Sequence, residues 1–156
     1  AINFYKIMSK DITIFYGTET GNSQDLAEQA ETILKEEGHN INVLNLEDTN
    51  PEDLSEIKLS LFVVSTWGEG DPPLDAEDFY ETLKSCELNL SNLSYGVMGL
   101  GDRSYEIFNG FARDLDNALA GLGAKRIGER IEADLDYEED FENWIAEMKK
   151  LIGLCG

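Results

Sequence analysis

Five short apolar runs alternate with amphipathic stretches along most of this chain, and that alternation leaves few folds open. Ile12-Thr13-Ile14-Phe15-Tyr16 reads as a buried strand over 11–16. Leu26, Ala27, Ala30, Ile33 and Leu34 then recur at helical spacing, which predicts a helix over 21–37 stopped by Gly38. A second strand is expected at 41–46, and Asn50-Pro51-Glu52-Asp53 starts a short helix. The run at 59–64 is continuously apolar, as a central parallel strand is when helices cover both its faces. A helix over 75–83 follows, with Phe79 and Leu83 four apart, then a strand over 95–100. Phe108, Phe111, Ala112, Leu115, Leu119 and Leu122 pattern a further helix ended by Gly123. Residues 125–131 make strand five, and Phe141, Trp144, Ile145, Met148, Leu151 and Ile152 the last amphipathic helix.

Strands that alternate with helices pair in parallel, and right-handed crossovers place the helices on both faces of the sheet. The expected fold class is therefore α/β, a doubly wound five-stranded parallel sheet. Ligands of such sheets bind beyond the carboxyl ends of the strands. Residues 1–10 precede the first strand and are expected to be an N-terminal extension of unknown role, with 11–156 a single domain.

The turn after the first strand, Gly17-Thr18-Glu19-Thr20-Gly21-Asn22-Ser23, is rich in glycine, hydroxyl and amide groups and leads straight into a helix. Free backbone N–H groups and the helix dipole suit such a turn to a phosphate. A nucleoside-triphosphate loop places Lys after its second Gly, whereas Gly21 is followed by Asn22. Neutral donors must then hold the anion.

Two further loops carry aromatic residues among glycines at the same edge. Ser65-Thr66-Trp67-Gly68-Glu69-Gly70-Asp71 follows strand three, and Gly99-Leu100-Gly101-Asp102-Arg103-Ser104-Tyr105 runs on from strand four to Phe108 and Asn109. Glycines let backbone approach a ligand closely, and two loop aromatics can sandwich a flat ring. Neither Gly-x-Gly is a dinucleotide fingerprint, because position six is Pro73 or Ser104 and neither follows strand one. The acidic run from Asp134 to Glu138 echoes a calcium loop, but Glu139 stands where that loop needs Gly, so it reads as a solvated turn with one ligand contact from Asp134. His39, the only histidine, sits in a helix-terminating turn and reads as structural. No nucleophile–base pair and no metal-ligand spacing is visible, so no catalytic or metal residue is assigned.

Taken together, the three loops resemble the FMN-binding loops of the flavodoxin family, over nearly the whole chain from Asp11 to Leu151. The Thr-Glu-Thr-Gly-Asn segment is similar to flavodoxins generally. The second and third loops look more like those of the FMN domains of diflavin reductases and of small MioC-like flavodoxins. The resemblance implies a flavodoxin-like three-layer sandwich of strand order 2-1-3-4-5 binding one FMN. It puts phosphate contacts on Thr18, Glu19 (through its N–H), Thr20, Gly21, Asn22 and Ser23. It puts ring contacts on Ser65, Thr66, Trp67 and Gly68, then on Leu100, Gly101, Asp102, Tyr105, Phe108 and Asn109, with Tyr105 stacked on the outer face. Trp67 stands where related FMN domains usually carry Tyr or His.

The implied function is single-electron transfer between protein partners, an electron carrier and not an enzyme. An NADPH-dependent flavin reductase is the expected donor, and a metalloprotein or radical enzyme the acceptor. Two alternatives stay open, an excised FMN domain of a diflavin reductase and an FMN-dependent quinone reductase. A response-regulator receiver shares the topology but needs aspartates where Ser65-Thr66 and Tyr16-Gly17 stand. The net charge of −20 disfavours nucleic acid and suits docking on basic-surfaced redox proteins. No apolar run reaches the ~20 residues of a membrane span. The two cysteines, Cys86 and Cys155, suit a reducing compartment, so a cytoplasmic location is expected, and the chain is expected to be a monomer.

Overall fold

The computed structural model describes residues 9–18 and 20–155. In chain order the elements are β1 (Asp11–Gly17), α1 (Asn22–Glu36), β2 (Asn40–Asn45), β3 (Leu59–Ser65), α2 (Glu77–Ser85), β4 (Ser94–Leu100), α3 (Gly110–Gly121), β5 (Lys125–Arg126), β6 (Ile131–Ala133) and α4 (Glu138–Leu154). Single 3₁₀ turns occupy Leu46–Asp48, Pro51–Glu56 and Leu74–Ala76. All strand pairs are parallel, and the order across the sheet is β2-β1-β3-β4-β5, with β6 also paired to β4.

The period of two along each strand divides the core into two layers. Ile12, Ile14, Leu59, Leu61, Val63, Met98 and Leu100 pack under α1 and α4, against Leu26, Leu34, Trp144 and Met148. Phe15, Phe62, Val64, Tyr95 and Val97 face the other way, under α2 and α3, against Phe79, Leu83, Phe111 and Leu115. This is the three-layer sandwich and strand order expected from the resemblance. α1 ends as expected at Gly38 (φ 92°), whose N–H donates to Lys35 O while His39 N–H donates to Leu34 O, a Schellman closure.

Strand five departs from a continuous 125–131. It is two pieces along β4: Lys125 and Arg126 lie opposite Ser94 and Tyr95, and Ile131 to Ala133 opposite Met98 to Leu100. Gly128 between them has φ 69°, outside the extended region, and a Cβ there would sit 2.9 Å from both Leu151 Cδ1 and Met148 Cε of α4. The break lets Arg126 and Arg130 converge on Asp116 of α3, which is only 1% exposed. Arg130 Nη1 donates to Asp116 Oδ2 at 2.5 Å, Arg126 Nη1 donates to the same oxygen, and Tyr95 Oη donates to Oδ1 at 2.5 Å. Burial, then the bond to Asp116, push the Tyr95 hydroxyl well above the usual phenol range.

Smaller boundary shifts have local causes. Leu46 leaves the second strand because Asn45 Oδ1 accepts Glu47 N–H at 2.8 Å and turns the chain, burying Leu46 in the second core layer. The short helix begun by Asn50 is of the 3₁₀ type, started by Asn50 Oδ1 accepting Glu52 N–H. α3 starts at Gly110 and not at Phe108, because Asn109 takes a left-handed conformation (φ 55°). Of the expected extension, residues 1–8 lie outside the described residues. Ser9 and Lys10 are tied down: Ser9 Oγ donates to Gly38 O, Lys10 N–H to His39 Nδ1, and Lys10 Nζ to Cys155 O at 2.5 Å. Among the described residues no helix is long and apolar enough to cross a membrane.

Candidate functional site

The carboxyl ends of β1, β3, β4 and β6 meet at one edge of the sheet, and the loops leaving them are joined at their bases. Thr66 N–H donates to Leu100 O and Gly101 N–H to Ala133 O, both at 2.9 Å. Asn109 Nδ2 adds a 3.0 Å bond to Ala133 O. Above this floor lies a cleft lined by Thr20, Asn22, Ser65, Thr66, Trp67, Gly68, Leu100, Gly101, Asp102, Tyr105, Asp134, Leu135 and Tyr137. It is the place where strand and loop chemistry converge, since its lining comes from the loops after β1, β3, β4 and β6.

Two of the lining aromatics are held out toward solvent, Trp67 at 55% and Tyr105 at 48% exposure. Large aromatic rings exposed together in one cleft are costly unless something covers them. Trp67 is fixed by a tight reversal: its N–H donates to Asp71 O and Asp71 N–H returns to Trp67 O, at 2.8 and 2.9 Å. Gly68 (φ 49°) and Gly70 (φ 96°) make that reversal possible. A Cβ on Gly70 would also lie 2.7 Å from Ile107 Cγ2, so the reversal packs directly on the loop that carries Tyr105.

On the β1 side, Gly21 (φ 90°) turns the chain into α1, whose first N–H groups have no intrahelical acceptor. Thr20 and Asn22 are exposed beside it. Thr18 works inside the loop: its Oγ1 accepts Gly21 N–H at 2.8 Å and its own N–H donates to the Asp75 carboxylate. Ser23 is fully buried and shares a 2.6 Å hydrogen bond with Ser65 Oγ, which links the start of α1 to the end of β3. Glu19 lies outside the described residues.

No Lys or Arg lines the cleft among the described residues. Arg103, on the adjoining loop, is drawn aside: its guanidinium lies 4.4 Å from the Phe108 ring centroid with Nε 3.6 Å from Asp134 Oδ2, while its backbone N–H donates to Asp134 Oδ1 at 3.0 Å. Asp134 Oδ1 also accepts Leu135 N–H, so this carboxylate organises two loops. The Ser104 hydroxyl and amide hold the Asp102 carboxyl below its usual range. Burial, then the neighbouring Glu138 and Asp25, push the Tyr137 hydroxyl up.

A family model described as flavodoxin matches residues 14–144. The chain belongs to the flavodoxin family. It is 39% identical over 150 residues to the sulfite reductase (NADPH) flavoprotein alpha-component of Bacillus subtilis (strain 168), covering 96% of this chain and 25% of that protein. The protein of the same name from Vibrio parahaemolyticus serotype O3:K6 is 40% identical over 134 residues, covering 85% of this chain and 22% of its own length. This flavodoxin domain spans about a quarter of the length of the curated relatives it matches. Among solved structures it resembles a short-chain flavodoxin associated with a bacterial microcompartment, with TM-score 0.81, 27% identity, and 95% and 99% of the two chains covered. The Streptococcus pneumonia TIGR4 flavodoxin also superimposes with TM-score 0.81, at 28% identity, covering 94% of this chain and all of that one (100%). Family membership implies a flavin as the cofactor.

Of the flavodoxin contacts expected from sequence, Thr20, Asn22, Ser65, Thr66, Trp67, Gly68, Leu100, Gly101, Asp102, Tyr105 and Asp134 line the cleft. Others sit beneath it. Thr66 divides its roles, because its Oγ1 also accepts Phe111 N–H at 3.1 Å and caps α3. Asn109 is fully buried under the third loop, where a Cβ on Gly99 would fall 2.4 Å from its Oδ1. Phe108 is half-buried against Arg103. Leu135 and Tyr137 also line the cleft, beyond the residues expected from sequence. Tyr137 stands in an acidic run without glycine, so the pattern that marks Trp67 and Tyr105, an aromatic among glycines, does not mark it.

Proposed function

We propose that this domain binds one FMN in the cleft and passes single electrons between protein partners. The observation that carries the reading is the pairing of two exposed aromatics, Trp67 and Tyr105, with a glycine–hydroxyl helix start in a single cleft that, among the described residues, no Lys or Arg lines. These residues fit FMN in chemistry as well as in place. The N–H groups opening α1, with Thr20 and Asn22, offer neutral donors to a phosphate. A Cβ on Gly21 or Gly68 would meet nothing within 4 Å, so the backbone there is open to a close approach. Trp67 and Tyr105 offer flat apolar faces, and the N–H and C=O groups of residues 66–68 and 100–102 offer edge contacts to a heteroaromatic ring.

FMN, when bound, supplies the one-electron chemistry, and the protein's part is to orient the ring, exclude water from its faces and set the field around it. The domain turns over no small substrate of its own on this reading. Its acidic surface, including Glu69 and Asp71 on the second loop and Glu77 and Asp78 at the start of α2, steers basic-surfaced partners to the ring edge. An NADPH-dependent flavin reductase is the proposed donor and a metalloprotein or radical enzyme the acceptor, in the cytoplasm, with the domain monomeric. A second reading, the FMN domain of a diflavin reductase, is favoured by one observation: the chain aligns with a quarter of a much longer flavoprotein. Residues 11–156 form the FMN-binding unit in either case.

The purified protein is expected to be yellow with flavin absorption bands, or to acquire them on adding FMN. A colourless protein that takes up no FMN overturns the proposal. The two readings separate by supply of electrons: a free carrier is reduced by a separate reductase with a second-order rate, whereas a domain of a longer chain is reduced within that chain at a rate independent of concentration.

A further inference from the structure

The turn Leu74–Ala76 leads from the second loop into α2, and its middle residue reaches back across the sheet edge to the first loop. Thr18 N–H donates to both carboxylate oxygens of Asp75, at 3.1 and 3.2 Å. Asn45 Nδ2, at the end of β2, donates to Asp75 Oδ2 at 3.1 Å. Gly17 makes the approach possible: a Cβ there would lie 3.1 Å from Ala76 Cβ and 3.6 Å from Asp75 Oδ1. A carboxylate therefore holds the first amide of a loop whose chemistry suits a phosphate.

The two consequences have opposite signs. Accepting the Thr18 N–H fixes the start of the loop and, through the Thr18 Oγ1 bond to Gly21 N–H, the glycine that opens α1. The carboxylate charge, in contrast, repels a phosphate dianion arriving at the same loop, and among the described residues no Lys or Arg lines the cleft. We propose that Asp75 is a positioning residue for the phosphate loop whose charge also limits how tightly the loop holds a phosphate. The Thr18 amide is committed to Asp75, so the phosphate falls to donors farther along, at Thr20, Asn22 and the first turn of α1. This inference rests on the FMN reading above and adds a residue that none of the three loop motifs contains.

Affinities for FMN and riboflavin are measured by flavin-fluorescence titration of the flavin-free native chain, Asp75→Asn and Asp75→Ala, with folding checked by circular dichroism. Asn keeps an acceptor of the same shape and removes the charge, so Asp75→Asn raises the FMN-to-riboflavin affinity ratio by about fivefold. Ala removes the acceptor as well, so its ratio falls below that of Asp75→Asn. A ratio for Asp75→Asn at or below the native value, with native discrimination intact, overturns this inference alone. An Ala ratio equal to or above that of Asn overturns the positioning role. A native chain that binds FMN no better than riboflavin overturns the phosphate site itself and this inference with it. If Asp75→Ala does not fold, the Asn comparison decides.

Discussion

The Asp116 cluster and the loop at residues 18–23 each deal with an anion, one resident in the fold and one expected from outside, and they do so in opposite ways. Asp116 is buried to 1% exposure and meets two arginines and a tyrosine hydroxyl. The loop at 18–23 offers backbone N–H groups, hydroxyls and a helix start, and the Asp75 carboxylate accepts its Thr18 N–H. A permanent buried charge has no water to solvate it, so it persists only when counter-charges and hydrogen bonds surround it. An anion that arrives from water can be held by oriented neutral dipoles, and it meets the field of a chain of net charge −20. Where the four arginines stand follows the same division. Arg113, Arg126 and Arg130 serve Glu132 or Asp116, Arg103 serves Asp134, and none lines the cleft.

The largest expected effect sharpens the external half of this comparison. FMN is expected to bind several decades more tightly than riboflavin, because several charge-assisted hydrogen bonds at ~1.5–3 kcal/mol each are lost without the phosphate. Equal dissociation constants in a fluorescence titration reject neutral-donor recognition at 18–23. The next effect breaks the internal half. Asp116→Ala leaves Arg126 and Arg130 facing each other without their shared carboxylate and is expected to destabilise the fold by about 3 kcal/mol. Urea unfolding measures this as a lower midpoint at unchanged slope, and a midpoint within error of the native one contradicts the role of the cluster.

Tyr105→Ala separates ring from phosphate binding. It is expected to weaken FMN by ~1–3 kcal/mol, by analogy with aromatic–base stacking, and to raise the fluorescence of bound flavin. Because the ring is common to both ligands, riboflavin is expected to weaken by a similar factor. Loss confined to FMN places Tyr105 at the phosphate instead. The smallest effect concerns a third polar solution, a neutral ring. His39 Nδ1 accepts Lys10 N–H at 3.0 Å, and burial outweighs the nearby Glu37 to hold its pKa below the 6.5 of a free histidine. The unfolded chain therefore takes up this proton first as pH falls. The stability that His39 contributes is complete above pH 6.5 and declines as pH drops through the folded value. The stability difference between the native chain and His39→Gln is expected to shrink from about pH 7 to about pH 5. A difference constant over that range removes His39 from the pH response.

Much of this was legible in the residues. Strand and helix periods, the Schellman glycine at 38 and the three loops follow from local chemistry, and local chemistry is carried by neighbouring residues. The failures were of a different kind. The break in strand five turns on Gly128 lying against Met148 and Leu151, which belong to a helix some twenty positions away. The link from the Ser23 hydroxyl to Ser65, 42 residues on, likewise joins two loops that no short stretch of sequence connects. Tyr137 lines the cleft although its acidic neighbours in the sequence read as a solvated turn.

By itself, the sequence of this protein determined the order and type of its elements, the two-layered division of its apolar residues and the kind of chemistry each loop can offer. Those properties depend on the spacing of side chains along one element, which the backbone's own period converts into faces. Tertiary structure alone decided which loops share a cleft, that Asp75 holds Thr18 from 57 residues away, and that Asp116 gathers Tyr95, Arg126 and Arg130. Those contacts depend on how crossovers stack helices on the sheet and where each turn leaves it, and no short stretch of residues carries that information.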